Sequence, residues 1–227
     1  MGRRTYRQYL DDIQLSNIQP FFRLILLGVS CYGILALSQI SATIVYRFFE
    51  GLPINMNFIQ SNIDILGDLN LQGLLLSTGS IFEEMEFRGI ILAVFLCNYS
   101  KRESIIYSSV GFGVFHLLNL IHGFDLIWVI GNVVWAFTLG LFYGYIVIKT
   151  KSLLPPMIVH YLGNLFISSL TGYIQINASS EIQALYGVVL TFGFIPVALM
   201  ILWTRFFSSR WLTSVESKTA KSTSVYV

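Results

Sequence analysis

Three short polar clusters interrupt an otherwise apolar chain, and their residue types are those that activate water. They are Glu83-Glu84-Met85-Glu86-Phe87-Arg88, Phe112-x-x-x-His116 and His160-x-x-x-Asn164. Ionisable side chains inside hydrophobic segments are costly, and they usually face a bundle interior or a wet cavity where function resides. Two adjacent glutamates, two histidines and an amide supply a general base, polarising groups and a hydrogen-bond donor.

Spacing separates the two acids of the first cluster. On a helix Glu84 and Arg88 stand four residues apart with the acid first, the favourable order for pairing. Glu83 is turned about 100° from Glu84, towards Glu86 and Phe87. Glu84 is therefore expected to pair with Arg88 for structure. Glu83 is left for chemistry as a general base. Glu86 is assigned to the cytoplasmic mouth or to a basic loop partner. A purely structural salt-bridge cluster is the competing reading of these acids, but it leaves the histidines unexplained.

The second cluster continues to Asn119, three residues after His116, and to His122 near Gly123 and Asp125. His122 reads as interfacial. Asn119 is placed to hydrogen-bond within the bundle or to orient His116. His160 and Asn164 share a helix face, and an Asn amide can stabilise a developing oxyanion. Their competing reading is an interhelical hydrogen-bonded pair. Asn132 reads as structural, and the aromatic residues as core or lipid-facing with no binding cage. There is no His-Glu-x-x-His zinc motif and no Gly-x-Ser-x-Gly nucleophile elbow.

Elements that hold such residues must themselves be membrane helices. The chain has 227 residues and only 11% charged residues, with a mean hydropathy of +0.68. Soluble domains carry about 25% charged residues, so this surface belongs in lipid. At about 20 apolar residues per crossing, six spans are expected: 21–46, 71–98, 104–122, 126–148, 153–172 and 183–206. The fold class is thus an all-α polytopic membrane bundle enclosing a polar site. Residues 1–20 form a cytoplasmic N-terminal segment, 21–207 the bundle, and 208–227 a cytoplasmic, disordered tail.

Basic residues set the orientation. Arg3, Arg4, Arg7, Lys101, Arg102, Lys149, Lys151, Arg205 and Arg210 fall at alternate ends of the spans. Both termini are therefore expected in the cytoplasm. Cys31 and Cys97 lie in apolar runs and are expected to be small buried residues. Nothing in the charge pattern favours nucleic acid.

The three clusters, in this order and spacing, resemble the CPBP family of intramembrane proteases, the type II CAAX prenyl endopeptidases and bacteriocin-processing Abi proteins. The resemblance covers residues 71–172. It implies that Glu83 activates water, that His116 helps position that water, and that His160 and Asn164 stabilise the oxyanion. Glu84 and Arg88 complete the first motif, with Asn119 in support. The implied function is an intramembrane endopeptidase acting on a membrane-associated peptide or protein. The alternatives are a non-catalytic bacteriocin-immunity or scaffold protein that retains the fold, and a zinc-dependent form of the protease. For the last, Glu83, His116 and His160 would supply a two-His-one-carboxylate set; otherwise no cofactor is required. The small size is similar to the bacterial branch of the family, which implies a plasma-membrane location.

Overall fold

The computed structural model describes residues 21–49, 51, 71–166 and 193–212, and all regular structure among them is helical. The long apolar run that opens the chain forms α1 (Phe21–Phe49). A second stretch is helical but broken: α2 (Leu71–Ser77), α3 (Gly79–Glu84), a π-helical turn (Met85–Ile91) and α4 (Leu92–Leu96). Then come α5 (Lys101–Phe115), a 3-10 turn (His116–Leu120), α6 (Leu126–Thr150) and α7 (Leu154–Phe166). The last described helix is α8 (Ile195–Phe207), prolonged by a π-helical turn to Leu212.

Local chemistry explains the boundaries. α5 starts at Lys101, three residues before the expected edge, because Ser100 and Glu103 form a reciprocal capping box. That box satisfies two orphan N–H groups at once. Hydrogen bonding to Ser100, through its side chain and its backbone N–H, keeps the exposed Glu103 carboxyl below its usual range. Asp125 caps α6 by accepting from the N–H groups of Ile127 and Trp128 at 2.8 and 3.3 Å. Lys151 ends α6 with φ of 53°, the left-handed conformation that closes many helices. Pro155 and Pro156 then occupy the first turn of α7, where a missing N–H is harmless.

Among the described residues, two helices are long and apolar enough to cross a membrane: α1 over Phe21–Ser38, and α6. Of the other expected spans, the second and third miss this measure through their composition and length, and the fifth and sixth lie partly outside the described residues. The second stretch is split and carries Glu83, Glu84, Glu86 and Arg88. α5 has 15 residues before it tightens into the 3-10 turn. The expected fifth and sixth spans are described only over residues 153–166 and 193–206. The remainder of both and residues 52–70 lie outside the described residues, as does the expected tail 208–227 except for Ser208–Leu212, which is helical rather than disordered.

One core joins α1, α6, α7 and α8 through Leu27, Cys31, Phe142, Ile146, Val159 and Met200, all fully buried. Trp203 donates to Ser30 at 2.8 Å and ties α8 to α1. α5 and α6 lie in close contact. A Cβ at Gly113 would meet the Val133 carbonyl at 2.9 Å, so only glycine permits this approach. Cys31 is buried as expected. Cys97 is exposed instead, because it falls in the last turn of the second stretch, beyond α4.

Candidate active site

The site is built where the π-helical turn, α5, α6 and α7 meet. Arg88 lies within the π-helical turn and is fully buried, as is Glu84 at the end of α3. Arg88 Nη1 donates to Glu84 Oε1 at 3.1 Å, the pair that the spacing predicts. An aromatic box surrounds the guanidinium, whose Cζ lies 4.1 Å from the Phe112 ring centroid and 5.2 Å from that of Tyr143. Such faces attract a cation strongly once water is excluded. The aromatic residues here are core, as expected, and what they surround is an internal arginine.

The π-helical turn is pinned from outside. Ser108 on α5 donates to the Phe87 carbonyl at 2.8 Å, and Leu92 N–H bonds to the same carbonyl across the widened turn. π turns are rare in helices and concentrate at functional sites. The regular helix expected for 71–98 is thus interrupted within its polar cluster.

Glu84 does more than pair with Arg88. The same Oε1 accepts from His160 Nδ1 at 2.9 Å. His160 Nε2 then lies 3.8 Å from Glu83 Oε2. That separation is too long for a direct hydrogen bond and is of the kind a water molecule can bridge. Glu83 keeps 28% of its side chain exposed, whereas Glu84 keeps none. The two neighbouring acids are therefore in opposite environments, one sealed and one open.

His116 sits where α5 turns into the 3-10 segment. Its Nδ1 is 2.9 Å from the Phe112 carbonyl. A carbonyl only accepts, so Nδ1 carries the hydrogen and Nε2 is the free ring atom. His116 is within electrostatic range of Glu83, His160 and Arg88. Both imidazoles pack edgewise on Phe112, at 4.9 Å for His116 and 5.8 Å for His160. Phe112 is the hub of the cluster.

Other candidates lie further out. Asn164, one turn beyond His160 on α7, is exposed, and no hydrogen bond joins it to the other site residues. Asn119 is half-buried, and its carbonyl accepts from the N–H groups of His122 and Phe124, closing the turn after the 3-10 segment. Glu86 and His122 are exposed, and Asn132 is half-buried on α6.

Among the described residues, no three His, Cys, Asp or Glu side chains converge closely enough to hold a metal ion. Glu83, His116 and His160 do not form the expected alternative ligand set.

Two contributors had no signal in the polar motifs. Tyr143 on α6 stacks on His160 at 5.4 Å and 28°. Gly140, one turn earlier, leaves room for the cation: a Cβ there would lie 3.1 Å from Arg88 Nη2 and 3.0 Å from Ser109 Cβ.

A family model, the Rce1-like type II CAAX prenyl endopeptidases, matches residues 69–166. That stretch contains all three motifs and agrees with the resemblance carried by them. The match supports a membrane-embedded, CAAX-type protease in general terms, and two apolar helices fit a membrane location. No curated protein and no solved structure matches the chain.

Proposed function

We propose, on the premise that residues 69–166 match the Rce1-like type II CAAX prenyl endopeptidases, that this chain hydrolyses a peptide bond of a membrane-associated substrate with glutamate-activated water. The observation that carries the reading is the split between the acids. Glu84 is sealed against Arg88 and His160, while Glu83 is open and 3.8 Å from His160 Nε2.

In this reading Glu83 takes a proton from water, and the water oxygen bonds to the scissile carbonyl carbon. His116 Nε2 holds the water for attack. The oxyanion accepts from the Asn164 amide and from His160 Nε2–H when that ring is protonated. Asn164 is exposed, as a donor that meets an incoming carbonyl must be. Collapse of the intermediate breaks the C–N bond, and the leaving nitrogen takes the proton back from Glu83. Arg88 and Glu84 stay out of the reaction and hold His160.

The substrate reaches the site from the cytoplasmic side, with both chain termini on that side. The basic residues support this orientation, and a C-terminal reporter read on the opposite face would reverse it. The bundle of residues 21–207 acts as one catalytic unit in the plasma membrane of a bacterium.

The test is hydrolysis by the full chain in lipid vesicles. Two probes are offered: a farnesylated peptide ending in a CAAX sequence, and an unprenylated apolar transmembrane peptide. Mass spectrometry should find a cleaved product from at least one. Asn164→Ala should lower turnover by about two to three powers of ten, the usual cost of an oxyanion donor, with little change in KM. Absence of cleavage of both probes would count against the reading, and full turnover by Asn164→Ala would remove its oxyanion role.

A further inference from the structure

The histidine of the third cluster is held on three sides. Glu84 accepts from its Nδ1, Phe112 meets its edge, and Tyr143 covers it in a stacked arrangement with rings 5.4 Å apart and 28° from parallel. The first two partners belong to the polar motifs. Tyr143 comes from α6, a helix that carries no motif at all. Its side chain is almost completely buried, and Arg88 Cζ lies 5.2 Å from its ring centroid. One ring therefore touches both the histidine and the cation that share Glu84 Oε1.

Gly140 completes this contribution from α6. It lies three residues before Tyr143 and so on the same helix face. The space its missing side chain leaves is bounded by Arg88 Nη2 and Ser109 Cβ.

We propose that Tyr143 is a positioning residue of the site, its flat ring fixing the plane of His160 so that Nε2 points at Glu83, with Gly140 clearing the place for Arg88. Glu84 fixes which nitrogen is engaged but leaves the imidazole free to swing about that bond. A stacked ring removes this freedom. A planar partner is required for that, and the hydroxyl is not. The inference rests on the proteolytic reading above and names a residue that acts through His160, not on substrate.

The experiment uses the full chain in lipid vesicles with the same two peptide probes. Tyr143→Phe keeps the ring and should keep kcat within about twofold. Tyr143→Leu and Tyr143→Met fill similar space without a flat face. They should lose about tenfold to a hundredfold in kcat, the scale of loss from small misplacement of a catalytic group. KM should hold, and kcat is taken per folded enzyme, because removing a buried core ring lowers thermal stability. Glu83→Gln is run beside them.

Activity of wild type, none in Glu83→Gln and full kcat in Tyr143→Leu would overturn the positioning role while leaving the protease reading intact. Tyr143→Phe as slow as Tyr143→Leu would also overturn it, by assigning the effect to the hydroxyl. Failure of both Leu and Met variants to accumulate as folded protein would make Tyr143 a folding residue and refute the proposal. An inert wild type would defeat the protease reading first and this inference with it.

Discussion

The second helical stretch and α6 both run for some 25 residues, and they are built in opposite ways. The second, from Leu71 to Leu96, is broken at Thr78 and again by the π-helical turn. It contains Glu83, Glu84 and Arg88. α6 is one unbroken α-helix of 25 residues, capped at both ends, with glycine where its neighbours come close. Irregular backbone inside a membrane protein persists only where protein or a wet cavity satisfies it. Here Ser108 supplies that support at Phe87, and α6 supplies a smooth wall for Arg88 and His160. In the proposed reading the broken stretch bears the chemistry and the regular one fixes where it sits.

Three substitutions probe that contrast, in falling order of effect. Arg88→Ala should be the most damaging. It leaves Glu84 buried with His160 alone, and breaking a buried pair from one side costs about 3–5 kcal/mol. Thermal unfolding in detergent micelles should show a large drop, and a wild-type midpoint would contradict the buried network. Gly140→Ala alters the regular helix instead. Helix propensity favours alanine by about 0.5–1 kcal/mol, but crowding Arg88 and Ser109 should cost about 1–3 kcal/mol. The net loss expected is small but measurable, because the aromatic box leaves Arg88 nowhere to retreat. Raised stability would show that the cation can move aside. Ser108→Ala should cost least, about 0.5–1.5 kcal/mol for one hydrogen bond. Its turnover should fall more than its stability, since the π turn would relax and Glu83 would shift. Unchanged turnover would separate the π turn from the site.

The sequence made the sealed pair legible because Glu84 and Arg88 are four residues apart, and local spacing suffices for such contacts. α6 was legible for the same local reason: a mostly apolar run between Asp125 and Lys149 with no charged residue inside it. Its described ends lie within two residues of the expected ones. The contact of His160 with Glu84 spans 76 residues of chain and has no periodic signature. The π turn was hidden because the hydroxyl that pins it, on Ser108, lies on another helix. Gly140 stands in no motif and Tyr143 reads as core or lipid-facing, and Tyr143 does belong to the main core; its second face, towards His160, appears only when α6 and α7 are placed together.

The central claim is that two neighbouring acids divide structure from chemistry, and matched amide substitutions test it most directly. Glu83→Gln and Glu84→Gln are measured side by side in lipid vesicles for peptide cleavage and in detergent for thermal unfolding. Glu83→Gln should unfold like wild type and cleave nothing, because an amide cannot take a proton from water. Glu84→Gln should unfold earlier, because Arg88 loses its buried counter-charge. Cleavage by Glu83→Gln at the wild-type rate, or a stable and fully folded Glu84→Gln beside an unstable Glu83→Gln, would contradict the account.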